Sequence, residues 1–110
     1  MTNSAAEISN RRVIHLDGSV DLENSPSIRK VLLGAVQDGR NVLVDMAEVT
    51  YIDSSGIACL IEALQTARKK GADLALLSVS AQAKRVLELA RLDMVFTIHG
   101  DLASAVGKGA

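Results

Sequence analysis

Asn41-Val42-Leu43-Val44-Asp45-Met46, then Val49-Thr50-Tyr51-Ile52 and Asp53-Ser54-Ser55-Gly56, is the stretch from which the rest of the chain can be read. Its first segment is a compact, partly β-branched apolar run of the kind a buried strand requires. Beyond Gly56 the period changes. Ile57, Leu60, Ile61, Leu64 and Ala67 share one helical stripe, with Glu62, Gln65, Arg68 and Lys69 largely opposite. Arg68, Lys69 and Lys70 crowd the last turn, where cations suit the helix dipole, and Gly71 supplies the stop. A buried strand leading through a polar turn into an amphipathic helix is half of a β-α-β unit.

Upstream, Glu7 to Asn10 reads as a short edge strand. Val13-Ile14-His15-Leu16 reads as the next strand, closed by Asp17-Gly18. Ser25 is the expected N-cap of a first helix with Pro26 in its first turn. Ile28, Val31, Leu32, Ala35 and Val36 recur at 3.6 spacing, and Gly39 ends the run. Downstream, Leu74 to Val79 is a buried strand and Ser80 caps a helix with the stripe Ala83, Val86, Leu87 and Ala90. Val95 to Ile98 is a last strand, and Asp101 to Val106 reads as a last short helix. Strand and helix alternate, and right-handed crossovers then make the strands parallel. The expected fold class is α/β: a mixed, mostly parallel sheet with an antiparallel N-terminal edge strand, packed by about four helices. The 110 residues fit one domain, residues 1–110, with its core at about 7–106 and a frayed Gly-Lys-Gly-Ala end.

Composition excludes several function classes. Lys plus Arg is 12 and Asp plus Glu 13, for a net charge of −1, whereas a polyanion-binding surface calls for a basic excess. Tyr51 and Phe96 are the only aromatic residues, too few for a platform that stacks bases. Nucleic acid is therefore not an expected partner. The single cysteine, Cys59, allows no internal disulfide or cysteine-rich zinc site, and His15 and His99 add too little for a metal centre. Apolar runs fall far short of the roughly 18–20 residues that span a bilayer, and Met1 to Asn10 has no basic cluster followed by an apolar run. The expectation is a cytoplasmic protein with neither direct membrane insertion nor a secretory signal.

The segment that carries chemistry is Asp53-Ser54-Ser55-Gly56. An Asp at that place can cap the following helix by accepting from its free backbone N–H groups. Ser54 and Ser55 then lie in the first turn, beside the positive end of the dipole. A phosphate added there is stabilised locally and presents about two new charges to any docked surface. An ordinary cap satisfies the same pattern. A nucleophile elbow does not, because the sequence is I-D-S-S-G and not G-x-S-x-G. A triad would also need His15, expected buried inside an apolar strand, or His99, expected in a solvated loop. No glycine-rich phosphate loop is present, and no cofactor is expected. Cys59 reads as a small buried or half-buried residue, not a reactive thiol.

The run Val42 to Met46 followed by Val49 to Gly56 resembles the signature of STAS domains, the anti-sigma factor antagonist family. Gly18-Ser19-Val20-Asp21 is similar to the family's G-x-x-D loop. Lys69-Lys70-Gly71-Ala72 before the Leu74 strand, and the helix segment Ala81 to Leu92, agree with it. The resemblance implies a partner-switching protein, not an enzyme. Unphosphorylated, it would bind an anti-sigma factor that is a serine protein kinase of ATPase fold; phosphorylation of Ser54 would release it, and a serine phosphatase would reset it. Asp21 would lie near the phosphosite and contact the kinase. Asp53 would orient the loop, Gly56 would permit close backbone approach, and Ser55 would be structural. The resemblance leaves one alternative, a STAS subunit docking on the ATPase of an ABC-type lipid transporter through the same loop with no phosphate. A small-molecule or nucleotide-binding domain is a weaker rival, since no phosphate cradle is present.

Overall fold

A computed structural model describes the backbone of residues 4–8, residues 11–101 and Ala103. Strand β1 (Ser4–Ile8) is followed by β2 (Arg11–Val20), helix α1 (Ser25–Ala35), β3 (Val42–Ile52), α2 (Ser54–Lys69), β4 (Leu74–Leu77), α3 (Ala81–Leu89), a 3-10 turn (Leu92–Met94) and β5 (Thr97–His99). The strands lie side by side in chain order. β2 to β5 are parallel, and β1 runs antiparallel along β2 from Ser4↔His15 to Ile8↔Arg11. The first strand thus lies earlier than the expected Glu7 to Asn10, of which Ser9 and Asn10 fall outside the described residues. The described residues hold three α-helices, not about four. The last helix expected at Asp101 to Val106 falls largely outside them.

Alternation along the strands divides the core. Ile14, Leu16, Val42, Val44, Met46, Leu74 and Leu76 join the stripes of all three helices in the main cluster. Val13, Leu43, Ala75 and Leu77 form a second buried cluster on the opposite side of the sheet. Every residue of β4 is therefore buried, as its unbroken apolar run demands. On α2 the buried positions are Gly56, Cys59, Leu60, Ala63, Leu64 and Ala67, while Ile57 and Ile61 sit at the rim. The buried face is thus turned toward small residues, which lets the helix approach α1 and the sheet closely. Arg29 of α1 clasps Glu62 of α2 through two hydrogen bonds of 2.7 and 2.8 Å across the outer seam. That pair holds the Glu62 carboxyl below the usual carboxylate range, but it is exposed and contributes little to stability.

Local expectations are corrected at several places. The last strand is Thr97–His99 and not Val95 to Ile98, so Val95 is exposed and His99 lies in the strand, half-buried. β2 does not close at Asp17-Gly18 but continues to Val20, with register shifts on either side of Asp17 and Gly18. Gly18 permits this because its φ is +66°. β3 is one strand of eleven residues, because Ala47-Glu48 between the two apolar runs stays extended against β2. The residue capping α1 is Asn24, not Ser25. Its side chain donates to the Ser19 carbonyl at 2.9 Å, tying the helix back to β2, and Pro26 lies in the first turn as expected. His15 is exposed, because Ile14 and Leu16 take the helix side and turn it outward, where its Nδ1 lies 2.8 Å from the Asp45 carboxylate.

β4 pairs only with Val42 to Asp45 of β3. From Met46 to Ile52, β3 overhangs the sheet, and α3 packs there. The Ser80 hydroxyl accepts from the Ala83 N–H as a cap and donates to the Val49 carbonyl at 2.6 Å, while the Ser80 N–H donates to the Met46 carbonyl. No described helix is long and apolar enough to cross a membrane. Leu60 is fully buried where α2 meets the sheet. Leu60→Ala is expected to lower unfolding free energy by about 2–5 kcal/mol in urea titration.

Candidate functional site: the capped serine at the carboxyl edge of the sheet

In this parallel arrangement the strands' carboxyl ends and the N-termini of α2 and α3 share one edge of the sheet, the usual location of sites in open α/β folds. β2 ends there in Val20-Asp21-Leu22 and β3 in Ile52-Asp53. Asp53 is extended, with φ −118° and ψ −172°, as a capping residue must be. Its Oδ1 accepts from the N–H groups of Ser55 at 2.9 Å and Gly56 at 3.2 Å. Its Oδ2 accepts from the Leu22 N–H at 3.2 Å. The Asp53 N–H in turn donates to the Val20 carbonyl at 3.2 Å. One side chain thus closes the helix end and holds the loop after β2 against it.

Gly56 is needed for space. A Cβ there would lie 2.3 Å from the Val20 carbonyl oxygen and 2.6 Å from Val20 Cγ1, so the first turn of α2 rests directly on the end of β2. Ser54 opens the helix and is exposed. Its hydroxyl makes no hydrogen bond among the described residues, whereas Ser55 beside it is half-buried. Asp21 is half-buried, and its carboxylate accepts from the Asn24 N–H at 3.0 Å, so it also shapes the start of α1. The structure therefore brings Asp21, Asp53, Ser54, Ser55 and Gly56 into one loop cluster, linked through Val20 and Leu22.

Two residues at this edge carry no motif and escape sequence reading. Leu22 is 73% exposed, between Asp21 and Glu23, and Tyr51 is 53% exposed. The signal for Leu22 is an apolar side chain inside an otherwise polar loop. Tyr51 gave none, because it sits in an apolar run that reads as buried.

Neither histidine lies beside Ser54. His15 is in register with Asp45, Asp45 with Leu77, and Leu77 with His99, so both histidines lie on one row of the sheet. The Val20↔Ile52 pair lies five residues beyond that row along β2 and seven along β3, roughly 17–23 Å of strand. Among the described residues no group of three or more His, Cys, Asp or Glu side chains could hold a metal. Cys59 is buried against α1, with its Sγ 3.6 Å from the Ser25 carbonyl, and burial pushes its thiol pKa up.

A mostly parallel sheet that presents an exposed serine at a capped helix N-terminus on its carboxyl edge describes this small α/β domain. The profile of the STAS domain family matches residues 3–105, and the chain belongs to that family. Among its relatives is an anti-sigma-B factor antagonist of Listeria monocytogenes, 28% identical over 101 residues, which span 87% of this chain and 89% of the relative. Among solved structures, an anti-sigma factor antagonist from Mycobacterium paratuberculosis superposes with a TM-score of 0.88. It is 18% identical and covers 97% of this chain and 92% of its own. The Bacillus cell fate determinant SpoIIAA in its phosphorylated form superposes with a TM-score of 0.76 at 17% identity, over 99% of this chain and all of its own.

Asp53→Ala is expected to cost about 1–2 kcal/mol in chemical denaturation, the value of a good cap. Gly56→Ala is also expected to destabilise, because overpacking against Val20 costs about 1–3 kcal/mol and outweighs the gain of up to about 1 kcal/mol in helix propensity. With its pKa raised by burial, Cys59 is expected to resist iodoacetamide in the native protein at pH 8 and to react readily in urea, as read by intact mass.

Proposed function

We propose that this chain is an anti-sigma factor antagonist acting by partner switching. Unphosphorylated, it binds an anti-sigma factor that is also a serine kinase; phosphoryl transfer from ATP to Ser54 Oγ, with loss of the hydroxyl proton, breaks the complex; a serine phosphatase restores it. It works by binding and is not itself an enzyme. The observation that carries this reading is Ser54: exposed, with its hydroxyl unbonded among the described residues, and held on a capped helix end. Relatives that are anti-sigma-B factor antagonists support the reading.

A kinase can engage such a hydroxyl without unfolding anything. The added phosphate, at about −1.5 to −2 charge, is tolerated by the free protein because the helix terminus and solvent stabilise it. Inside an interface the same group must be desolvated, and it faces whatever the partner placed against a neutral hydroxyl. A difference of about 3 kcal/mol between the two states shifts affinity by roughly two orders of magnitude. Asp21 and Glu23 beside the serine suit a basic patch on the kinase. Asp53, with both carboxylate oxygens occupied, serves the loop's geometry.

Incubation with ATP and an extract of the source organism is expected to add about 80 Da to the wild-type chain and nothing to Ser54→Ala. Ser54→Ala should keep partner binding and Ser54→Asp should weaken it. Asp21→Asn preserves an acceptor for the Asn24 N–H while removing the charge, so it is expected to slow phosphorylation with little change in stability. An unmodified wild-type chain, in an extract that phosphorylates another substrate, would overturn the proposal and favour phosphate-independent docking on a transporter ATPase.

A further inference from the structure

The overhang of β3 creates a second feature at the same edge. Past Asp45 β3 has no neighbouring strand on its β4 side among the described residues. Met46 and Val49 have their carbonyls taken by Ser80, but Thr50, Tyr51 and Ile52 instead line an open groove of about 480 Å³. The facing wall is α3, through Gln82, Arg85 and Val86, whose i, i+3, i+4 spacing places them on one side of the helix. The groove thus has a strand edge along one wall, an aromatic ring and the Val86 side chain for apolar contact, and one guanidinium. Arg85 is exposed and makes no ion pair among the described residues.

Resting on the antagonist reading, we propose that this groove is a second docking subsite for the same anti-sigma partner. It takes an extended segment that lays an apolar side chain on Tyr51 and Val86 and carries a carboxylate to Arg85. Continuity with Ser54 selects this occupant. A standard interface covers about 800 Å² of each partner, a patch of roughly 16 Å radius. Tyr51 is three residues from Ser54, at most about 10 Å of extended chain. A partner centred on the serine therefore covers the groove. A strand edge beside a helix is the usual seat for an added extended segment, with side-chain pockets supplying selectivity. The charge also decides against a basic segment, which would meet Arg85 and the neighbouring Lys84. The acidic side of the edge, at Asp21 and Glu23, lies beyond Ser54 in the other loop. The partner is thus read in one orientation, its basic patch on the β2 loop and its acidic segment in the groove.

The test uses the purified kinase that modifies Ser54 and the full chain carrying Ser54→Ala, so that no phosphate intervenes. By calorimetric titration, Arg85→Glu and Tyr51→Ser are each expected to weaken binding by about tenfold or more, while Arg85→Lys stays within about threefold. Both positions are exposed, so far-UV circular dichroism and the thermal midpoint should not change. Wild-type affinity in Arg85→Glu and Tyr51→Ser, with Ser54 still a substrate in the otherwise wild-type chain, overturns the groove proposal alone. A wild-type chain that no serine kinase binds or modifies overturns the antagonist reading and the groove's occupant with it. Amide shifts at Thr50 to Ile52 that move with protein concentration in the absence of kinase assign the groove to a second copy and overturn the proposal.

Discussion

The Asp53 carboxylate has two oxygens, and the fold uses them in opposite directions. One satisfies the free N–H groups at the start of α2; the other binds the loop that leaves β2. Together with the Asp53 N–H on the Val20 carbonyl, they make β2, β3 and α2 converge on a single point at the carboxyl edge. Gly56 follows from the same constraint. Once the helix start is drawn onto the end of β2, no side chain fits between them. Ser54 is left exposed on a terminus that cannot move without breaking several hydrogen bonds.

The second constraint is the unequal length of the central strands. β3 has eleven residues and β4 only four, so most of β3 has no strand beside it on that edge. Ser80 meets part of the deficit by offering its N–H and hydroxyl to β3 while its oxygen caps α3. What Ser80 does not cover becomes the groove beside Tyr51. The hydrogen-bonding needs of an overhanging strand thus place a strand edge, an aromatic ring and an arginine along one groove.

Charge is distributed to match. The chain is nearly neutral overall, yet the loop after β2 carries Asp21 and Glu23, and the first turns of α3 carry Lys84 and Arg85. Net charge therefore says nothing about how a partner is oriented on this edge, and local placement says a good deal. The same placement keeps both histidines on a row of the sheet several strand residues behind the edge that carries Ser54.

Much of this was legible in the residues. Apolar periodicity separates strand from helix at nearly every element, because each must hide its own stripe whatever it packs against. The capping roles of Asp53 and Ser80 are equally local, since a side-chain oxygen reaches the N–H groups two or three residues ahead without help from the rest of the chain. Register and exposure are different in kind. His15 reads as buried because its neighbours are apolar, but a strand alternates, and the side of the sheet that a residue faces is set by its partners. Asn24, not Ser25, holds the position before α1, and its side chain is turned to the Ser19 carbonyl instead of the helix N–H groups. Tyr51 sits in an apolar run and gives no sign of its exposure until β4 proves too short to flank it. The sequence by itself determined the order and type of the elements and the capped serine, because those depend on interactions within a few residues. Only the tertiary structure decided which side chains meet at the edge and which stay open to a partner, because strand length, bulges and register act between segments far apart in the chain.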